Sequence, residues 1–374
     1  MSRRLGILGG GQLGGFLCQA AQELDITTTV LTPSEGGYAE KFADHTLIAS
    51  FDDQAAIDEL MARSDVVTFE LEDIPTATLH KLAQQTQVEV FPKPDTMLLL
   101  QNKGLQKDWL AAQGFPTPKH LRFDQGLDAQ AAMDALGPNF VIKTQRGGYD
   151  GLGVKLVKNG DVPKEYASVP TIAEATVEDF VEIAVLVARD ANGHHVHFPV
   201  FQSNFDEEGN VLRRVICPAS IDEQTAERAT TLACEIIDRL GGVGVFAVEC
   251  FLTDTDLMIN EIAPRVHNVG HLTIEASNAS QFAQHVRAVM GLPLTSPLSV
   301  VPSVMDNLLY EAALADACAE EKRLTSRDDV TVHWYGKSEP RPLRKMGHLT
   351  VTSNSIEQAA KLADQSLQSL RQPA

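Results

Sequence analysis

The chain opens on a strand, a glycine turn and a helix, and this combination commits its N-terminal region to an α/β layer. Leu5 to Leu8 is a short apolar run, Gly9-Gly10-Gly11-Gln12-Leu13-Gly14 follows at once, and helical spacing takes over from Phe16 to Leu24. A β-branched run from Thr27 to Leu31 then supplies the second strand of a βαβ unit. Glycine lets the backbone turn tightly and approach a ligand, while the first turn of the helix offers free N–H groups to an anion. Gly9, Gly11 and Gly14 satisfy GxGxxG, yet strand two ends Leu31-Thr32-Pro33-Ser34-Glu35, where only the late Glu35 is available to a ribose. Contact with a substrate phosphate and simple packing both stay open for this loop, with dinucleotide binding the weakest reading.

The first domain continues through a helical segment at Ala55 to Met61 and strands at Asp65 to Phe69 and Val88 to Phe91, and ends near residue 95 at Pro92 and Pro94. Residues 96–173 read as a connecting helix, Met97 to Ala112, followed by a small lid with strands Phe140 to Lys143 and Val154 to Val157. Residues 174–297 form a larger unit. Its clearest helix runs from Ile221 to Leu240, with Ser220 and Glu223 at capping-box spacing and Gly241 as terminator. Residues 298–374 are a small C-terminal domain with a strand at Val330 to Tyr335 and a helix at Ser355 to Leu370.

Composition narrows the function. The 374 residues are 44% apolar and 22% charged, which suits a folded protein with a sizeable core. The formal charge of −19 argues against a nucleic-acid scaffold or a polybasic membrane binder, but a few local cations can still hold an anionic small molecule. The five cysteines form no CxxC pair, and Gly9 interrupts the opening apolar run too early for a signal-peptide core, so a reducing, cytoplasmic setting is expected.

Three constellations carry chemistry. The strand Phe140-Val141-Ile142-Lys143 runs into Thr144-Gln145-Arg146-Gly147-Gly148-Tyr149-Asp150-Gly151-Leu152-Gly153. A lysine ending an apolar strand, beside a glycine hairpin, can hold and cover a polyphosphate; a flexible surface hairpin is the alternative. Glu249 and Glu261 each sit inside an apolar strand, and a cation between them would offset their repulsion, with Mg²⁺ or Mn²⁺ bridging phosphates as the natural choice. A three-residue turn sets Glu249 opposite Glu261, whereas a four-residue turn sets Asn260 there and turns Glu261 over. Two edge residues facing water is the plain alternative. The loop Pro264-Arg265-Val266-His267-Asn268-Val269-Gly270-His271 and the run Arg344-Lys345-Met346-Gly347-His348 add a phosphate or carboxylate fork, imidazoles and further cations.

Together these motifs resemble the ATP-grasp superfamily and, within it, the 5-(carboxyamino)imidazole ribonucleotide synthase family. The Gly9 to Gly14 loop, Thr68-Phe69-Glu70-Leu71-Glu72-Asp73-Ile74-Pro75, Gly147 to Gly151, Glu249-Cys250-Phe251, Asn260-Glu261-Ile262-Ala263-Pro264-Arg265-Val266-His267-Asn268 and Arg344 to His348 carry the resemblance in order. It implies an ATP-grasp fold behind a Rossmann-like pre-ATP-grasp domain. It also implies a ligase that joins bicarbonate to 5-aminoimidazole ribonucleotide, with ATP split through carboxyphosphate. On that resemblance Lys103, Lys143, Gly148, Tyr149, Asp150, Gly151 and Gly153 would hold the nucleotide phosphates. Glu174, Ala175, Thr176 and Val177 match the adenine-reading segment, and Glu182 the ribose ligand. Glu249 and Glu261, with Asn260, would hold the metal. Tyr149, Asp150, Arg265, His267 and Lys345 fall at the reacting centre, and Gln12, Leu13, Glu72, Asn268, Arg344 and Lys345 at the ribonucleotide. A homodimer is implied as well. Gly15, Leu152, Val269 and Leu343 depart from the family pattern, and Lys103 stands where arginine is usual. Another acyl-phosphate ligase and a catalytically weak nucleotide-binding subunit are the competing readings.

Overall fold

The computed structural model describes residues 3–85, 87–148, 153–206, 211–296, 298–310, 327–337 and 341–371. Strands β1 (Arg4–Leu8), β2 (Thr27–Thr32), β3 (His45–Ile48), β4 (Val66–Phe69) and β5 (Glu89–Val90) form a five-stranded parallel sheet in the order β3-β2-β1-β4-β5. Helices α1 (Gln12–Gln22), α2 (Gln54–Ala62) and α3 (Thr76–Gln84) cover it, which explains why Leu5, Ile7, Leu8 and Val67 are buried on both faces. Helix α1 begins at Gln12, earlier than the apolar spacing suggests, because Gly11 adopts the extended N-cap conformation.

The connecting segment departs from the single helix read over Met97 to Ala112. It is two helices, α4 (Pro94–Leu100) and α5 (Lys103–Ala112). Asn102 is extended and its side chain accepts the Leu105 N–H at 3.0 Å, while the Lys103 N–H donates to the Gln145 carbonyl at 2.9 Å. A residue that caps a new helix necessarily ends the old one.

The lid is a four-stranded antiparallel sheet, β6 (His120–Phe123), β7 (Phe140–Thr144), β8 (Val154–Val157) and β9 (Thr171–Ala175), ordered β6-β9-β7-β8 and backed by α6 (Ala129–Leu136). The largest sheet is antiparallel and nine-stranded. It contains β10 (Val181–Arg189), β11 (His195–His197), β12 (Phe201–Phe205), β13 (Leu212–Cys217), β14 (Gly244–Leu252), β15 (Leu257–Ala263), β16 (Ser303–Leu309), β17 (Val330–Trp334) and β18 (Lys345–Thr352). Its order is β15-β14-β10-β12-β13-β16-β18-β17, with β11 pairing β10, so the C-terminal strands extend the central sheet.

One face of the central sheet packs on α7 (Glu223–Leu240) through Val185, Val187, Phe246 and Val248. Asp222 caps that helix, accepting the Thr225 N–H at 2.9 Å, and the expected Ser220 cap lies outside it with its N–H on Gln202. Gly241 ends the helix in the left-handed conformation at φ 60°. The opposite face packs Ala184, Leu186, Val245 and Ala247 against Phe282 and Val286 of α9 (Gln281–Val289), which follows the single turn α8 (Thr273–Ala276). The last helix, α10 (Ile356–Arg371), lies on β16 and β18.

His285 joins the two large units. Its Nδ1 accepts the Val245 N–H at 3.0 Å, which fixes the proton on Nε2, and Nε2 donates to the Thr68 hydroxyl at 2.7 Å. Among the described residues no helix is long and apolar enough to cross a membrane. Cys18, Cys217 and Cys250 are buried, and Cys318 lies outside the described residues.

At the first turn Gly9 has φ 122°, and a Cβ there would come within 2.0 Å of the Glu70 Cγ. Gly9→Ala is therefore expected to destabilise the chain by about 1–3 kcal/mol through backbone strain and displacement of Glu70. Urea unfolding should show a lower midpoint at unchanged slope; an unchanged midpoint would refute it.

Candidate functional site

Side-chain alternation places the site. On the α9 face of the central sheet the apolar positions Ala184, Ala247 and Ala263 are followed, two residues nearer one end, by Glu182, Glu249 and Glu261. Three carboxylates are thereby set on one face where the apolar packing stops.

The turn of the β14–β15 hairpin has four residues, from Leu252 paired with Leu257, and Cys250 pairs Ile259 as such a turn dictates. The register then shifts at a β-bulge, and Glu249 stands opposite Glu261 after all. Neither simple register expected from the turn length applies. The extra residue is Asn260, and the bulge directs both Asn260 and Glu261 to the site face while Ile259 and Ile262 both pack toward α7.

Cations reach this end from other elements. Lys143, on β7 of the lid, donates to Asn260 Oδ1 at 2.9 Å and pairs with Glu174 Oε2 on β9 at 2.7 Å. Lys107 of α5 takes the second Glu174 oxygen at 3.2 Å. Lys103, in the first turn of α5, pairs with Glu261 Oε1 at 2.5 Å. Arg265 pairs with Glu72 Oε2 of the first domain at 2.7 Å, and His267 Nε2 lies 3.6 Å from Glu249 Oε1.

The balance of these charges sets the titration. Burial, then the charges of Glu261 and Glu182, pushes Glu249 up to about 8, and burial lifts Glu182 to about 7. Burial opposes ionisation of Glu174 too, but Lys143 and Lys107 together hold it down at about 2. Glu261 likewise stays below its ordinary value against burial because Lys103 contacts it. His267 is driven well below its usual range by burial and by the charges of Arg265 and Lys345. Glu249, next to two other carboxylates, is thus raised furthest of the three. Two facing carboxylates with an amide oxygen beside them are a donor set that suits a hard divalent cation.

The first glycine loop has an occupant. The N–H groups of Gly11 and Gly14 donate to the two carboxylate oxygens of Glu70, the former at 2.6 Å. Glu70 lies just past β4, the strand beside β1, where an acidic residue can reach the first turn of α1. Sequence reasoning gave it no role; its place in Phe69-Glu70-Leu71-Glu72, ending a strand next to a glycine turn, is the signal. Lys107 was missed as well, since a lysine inside an amphipathic helix reads as surface, yet it is 2% exposed.

Of the other expected residues, Gln12 is half-buried in the first turn of α1 and Leu13 packs against the core. Ala175, Thr176 and Val177 leave β9 partly exposed. Gly148 and Gly153 frame the hairpin, but Tyr149, Asp150, Gly151 and Leu152 lie outside the described residues. Asn268 is buried and exchanges amide hydrogen bonds with Asn307 at 3.1 and 2.7 Å. Lys345 is buried at the start of β18, and Arg344 accepts the Tyr310 N–H at its carbonyl. His271 is packed between Phe16, Phe282 and His348. Three of the positions read as departing from the family pattern have the following surroundings. A Cβ on Gly15 would meet Tyr38 at 2.4 Å, Val269 is fully buried, and Leu343 keeps a left-handed φ of 61° where a glycine is usual.

The pKa directions give a pH optimum for stability. Between about 4.5 and 8 the folded chain binds a proton at Glu249 that an unfolded glutamate does not, so this term weakens folding as pH rises. His267, His271, His285 and His348 stay neutral well below 6.5 when folded, so each weakens folding as pH drops beneath 6.5. Denaturant titration without nucleotide should show stability declining on both sides of about pH 6.5. Glu249→Gln should raise stability at pH 8 by about 1–3 kcal/mol. A wild-type value for that variant would contradict the charge balance.

Comparison with known proteins agrees with this geometry. Residues 1–101 match the ribonucleotide synthetase preATP-grasp domain, residues 108–282 the ATP-grasp domain, and residues 303–362 the phosphoribosylaminoimidazole carboxylase C-terminal domain. The N5-carboxyaminoimidazole ribonucleotide synthase of Brucella melitensis is 37% identical over 92% of this chain and 95% of its own length. That of Synechococcus elongatus is 34% identical over 93% and 89%. The Staphylococcus aureus N5-carboxyaminoimidazole synthetase complexed with ADP superposes with a TM-score of 0.88 at 32% identity, covering 98% of each chain. The Aspergillus clavatus synthase in complex with ADP and 5-aminoimidazole ribonucleotide gives 0.89 at 30% identity, covering 99% of this chain and 98% of that one. On its sequence, its three matched segments and its fold, the chain belongs to the N5-carboxyaminoimidazole ribonucleotide synthase family of ATP-grasp proteins.

Proposed function

We propose that this chain carboxylates 5-aminoimidazole ribonucleotide with bicarbonate and ATP, giving N5-carboxyaminoimidazole ribonucleotide, ADP and phosphate. The observation that carries the reading is the bulged β15 strand, which sets Asn260 and Glu261 on one face with Glu249 beneath the lid lysine Lys143.

In this reading bicarbonate oxygen attacks the γ-phosphorus, ADP leaves, and the carboxyphosphate formed passes its carboxyl to the exocyclic amine as phosphate departs. Glu249 and Glu261 would hold Mg²⁺ or Mn²⁺, which when bound would supply positive charge to offset that of the phosphates. Lys143 and Lys103 hold the phosphates, exchanging their present carboxylate partners for phosphate oxygens. Gly148, Tyr149, Asp150, Gly151 and Gly153 are assigned to cover the phosphates, where water must be kept from carboxyphosphate. The segment Glu174 to Val177 lines the adenine and Glu182 takes the ribose. Arg265, His267 and Lys345 bound the end where the two anionic substrates meet. Neutral His267 suits a hydrogen-bonding or proton-accepting role there. Gln12, Leu13, Glu72, Asn268 and Arg344 border the ribonucleotide. The division into units at about residues 95, 173 and 297, a homodimeric assembly and a cytoplasmic setting belong to the same reading.

Glu261→Gln keeps shape but removes the charge. ADP release in bicarbonate with the ribonucleotide should fall by at least about 100-fold, well beyond an exposed ion pair's contribution. Near-wild-type turnover at ordinary Mg²⁺ would remove Glu261 from the metal site. Absence of a product heavier by one carboxyl from the wild-type chain would overturn the substrate assignment.

A further inference from the structure

Strand β15 is an edge of the nine-stranded sheet, so β14 fixes it on one side only. An edge strand carrying a bulge can slip by one residue, and such a slip sends every side chain beyond it to the other face. Here that would exchange Glu261 with Ile262, burying a carboxylate against α7 and removing it from Glu249.

The outer edge of β15 is held by side chains of α5 and the segment after it. The Gln106 amide makes a two-point contact with one residue: Oε1 accepts the Ile262 N–H at 2.8 Å and Nε2 donates to the Ile262 carbonyl at 3.0 Å. That pairing copies what a neighbouring strand would offer. Nε2 also donates to the carbonyl of Leu100, the last residue of α4, at 3.0 Å, so three backbone groups depend on one amide. On the other side of the bulge the Ile259 N–H donates to the Pro116 carbonyl at 2.8 Å. The Ile259 carbonyl accepts Thr117 Oγ1 at 3.0 Å and Lys107 Nζ at 3.1 Å. The residues on either side of Asn260 and Glu261 are therefore both pinned from outside the sheet. Gln106 is 1% exposed, so no water competes for its amide.

We propose that Gln106 is a positioning residue for phosphoryl transfer: its buried amide locks the bulged register of β15 and so keeps Asn260 and Glu261 together on the site face. This rests on Glu249 and Glu261 being the cation ligands. Gln106 touches neither nucleotide nor cation, and acts only through the backbone of Ile262.

The test uses the full-length chain and ADP affinity measured by calorimetry, once with Mg²⁺ and once in EDTA. Gln106→Met keeps the length and removes the amide; Gln106→Glu keeps an acceptor for the Ile262 N–H. Gln106→Met should bind ADP in EDTA as the wild type does, while the gain in affinity from Mg²⁺ falls by about tenfold, the scale of unpaired buried hydrogen-bonding groups. Turnover should fall and KM for ATP in Mg²⁺ should rise as the affinity is lost, with Gln106→Glu between Gln106→Met and the wild type. A lower melting temperature with the Mg²⁺ gain intact would mean that Gln106 supports the fold alone and would overturn the proposal. Should Gln106→Met fail to fold, an undiminished Mg²⁺ gain in Gln106→Glu overturns it equally. Glu261→Gln is the control: loss of the gain there, with retention in both Gln106 variants, refutes the lock while leaving the cation reading intact. Retention in Glu261→Gln refutes the cation reading itself.

Discussion

Three glutamates sharing one end of one sheet face is the constraint around which this molecule is arranged. Glu182, Glu249 and Glu261 repel one another in a setting that disfavours charge, and no single segment supplies enough cation to offset them. The linker brings Lys103, the lid brings Lys143, and the loop after β15 brings Arg265. Because these cations come from different units, the electrostatic balance of the site depends on how those units pack together. Glu249, raised by burial and by the charges of Glu261 and Glu182, keeps its proton to about pH 8, and it is the group a bound cation would change most.

A second shared carboxylate couples the units further. Glu174 divides its two oxygens between Lys143 and Lys107, so the lid lysine is held by a group that is itself anchored to the helix beneath the site. Lys107 also bonds the Ile259 carbonyl, at the start of the bulge. The lid lysine, the helix of the linker and the edge strand thus form one connected polar network.

Much of this was legible in the residues. The glycine turn with its β-branched successor gave the parallel sheet, because only such a strand–turn–helix run buries both strand faces. The two glutamates inside apolar strands stand out as a pair, and they do face each other, while the order of the motifs gave the family. What escaped was set by tertiary geometry. Turn length alone cannot reveal a bulge, so the hairpin register could not be read from Thr253 to Asp256. The break between α4 and α5 depends on Asn102 finding an N–H to cap and on Gln145 accepting a bond from across the lid, and neither is visible in local spacing. Glu70 belongs to the same class. A carboxylate in the first turn of α1 follows from the adjacency of β1 and β4, which is a property of the sheet order.

The continuity of the central sheet has a consequence for how the chain is made. Strand β13 lies between β12 and β16, and Arg214 on it forks onto Asp306 at 2.7 and 2.8 Å. During synthesis β12 and β13 leave the ribosome well before β16, which follows the whole of α7, the β14–β15 hairpin and α9. For that interval β13 is an open edge with Arg214 unpaired, able to accept a strand from any nascent neighbour. In the finished chain Arg214 pairs with Asp306 and Asp364 at 2.7 Å each, so its charge is matched only by residues that follow it in the sequence.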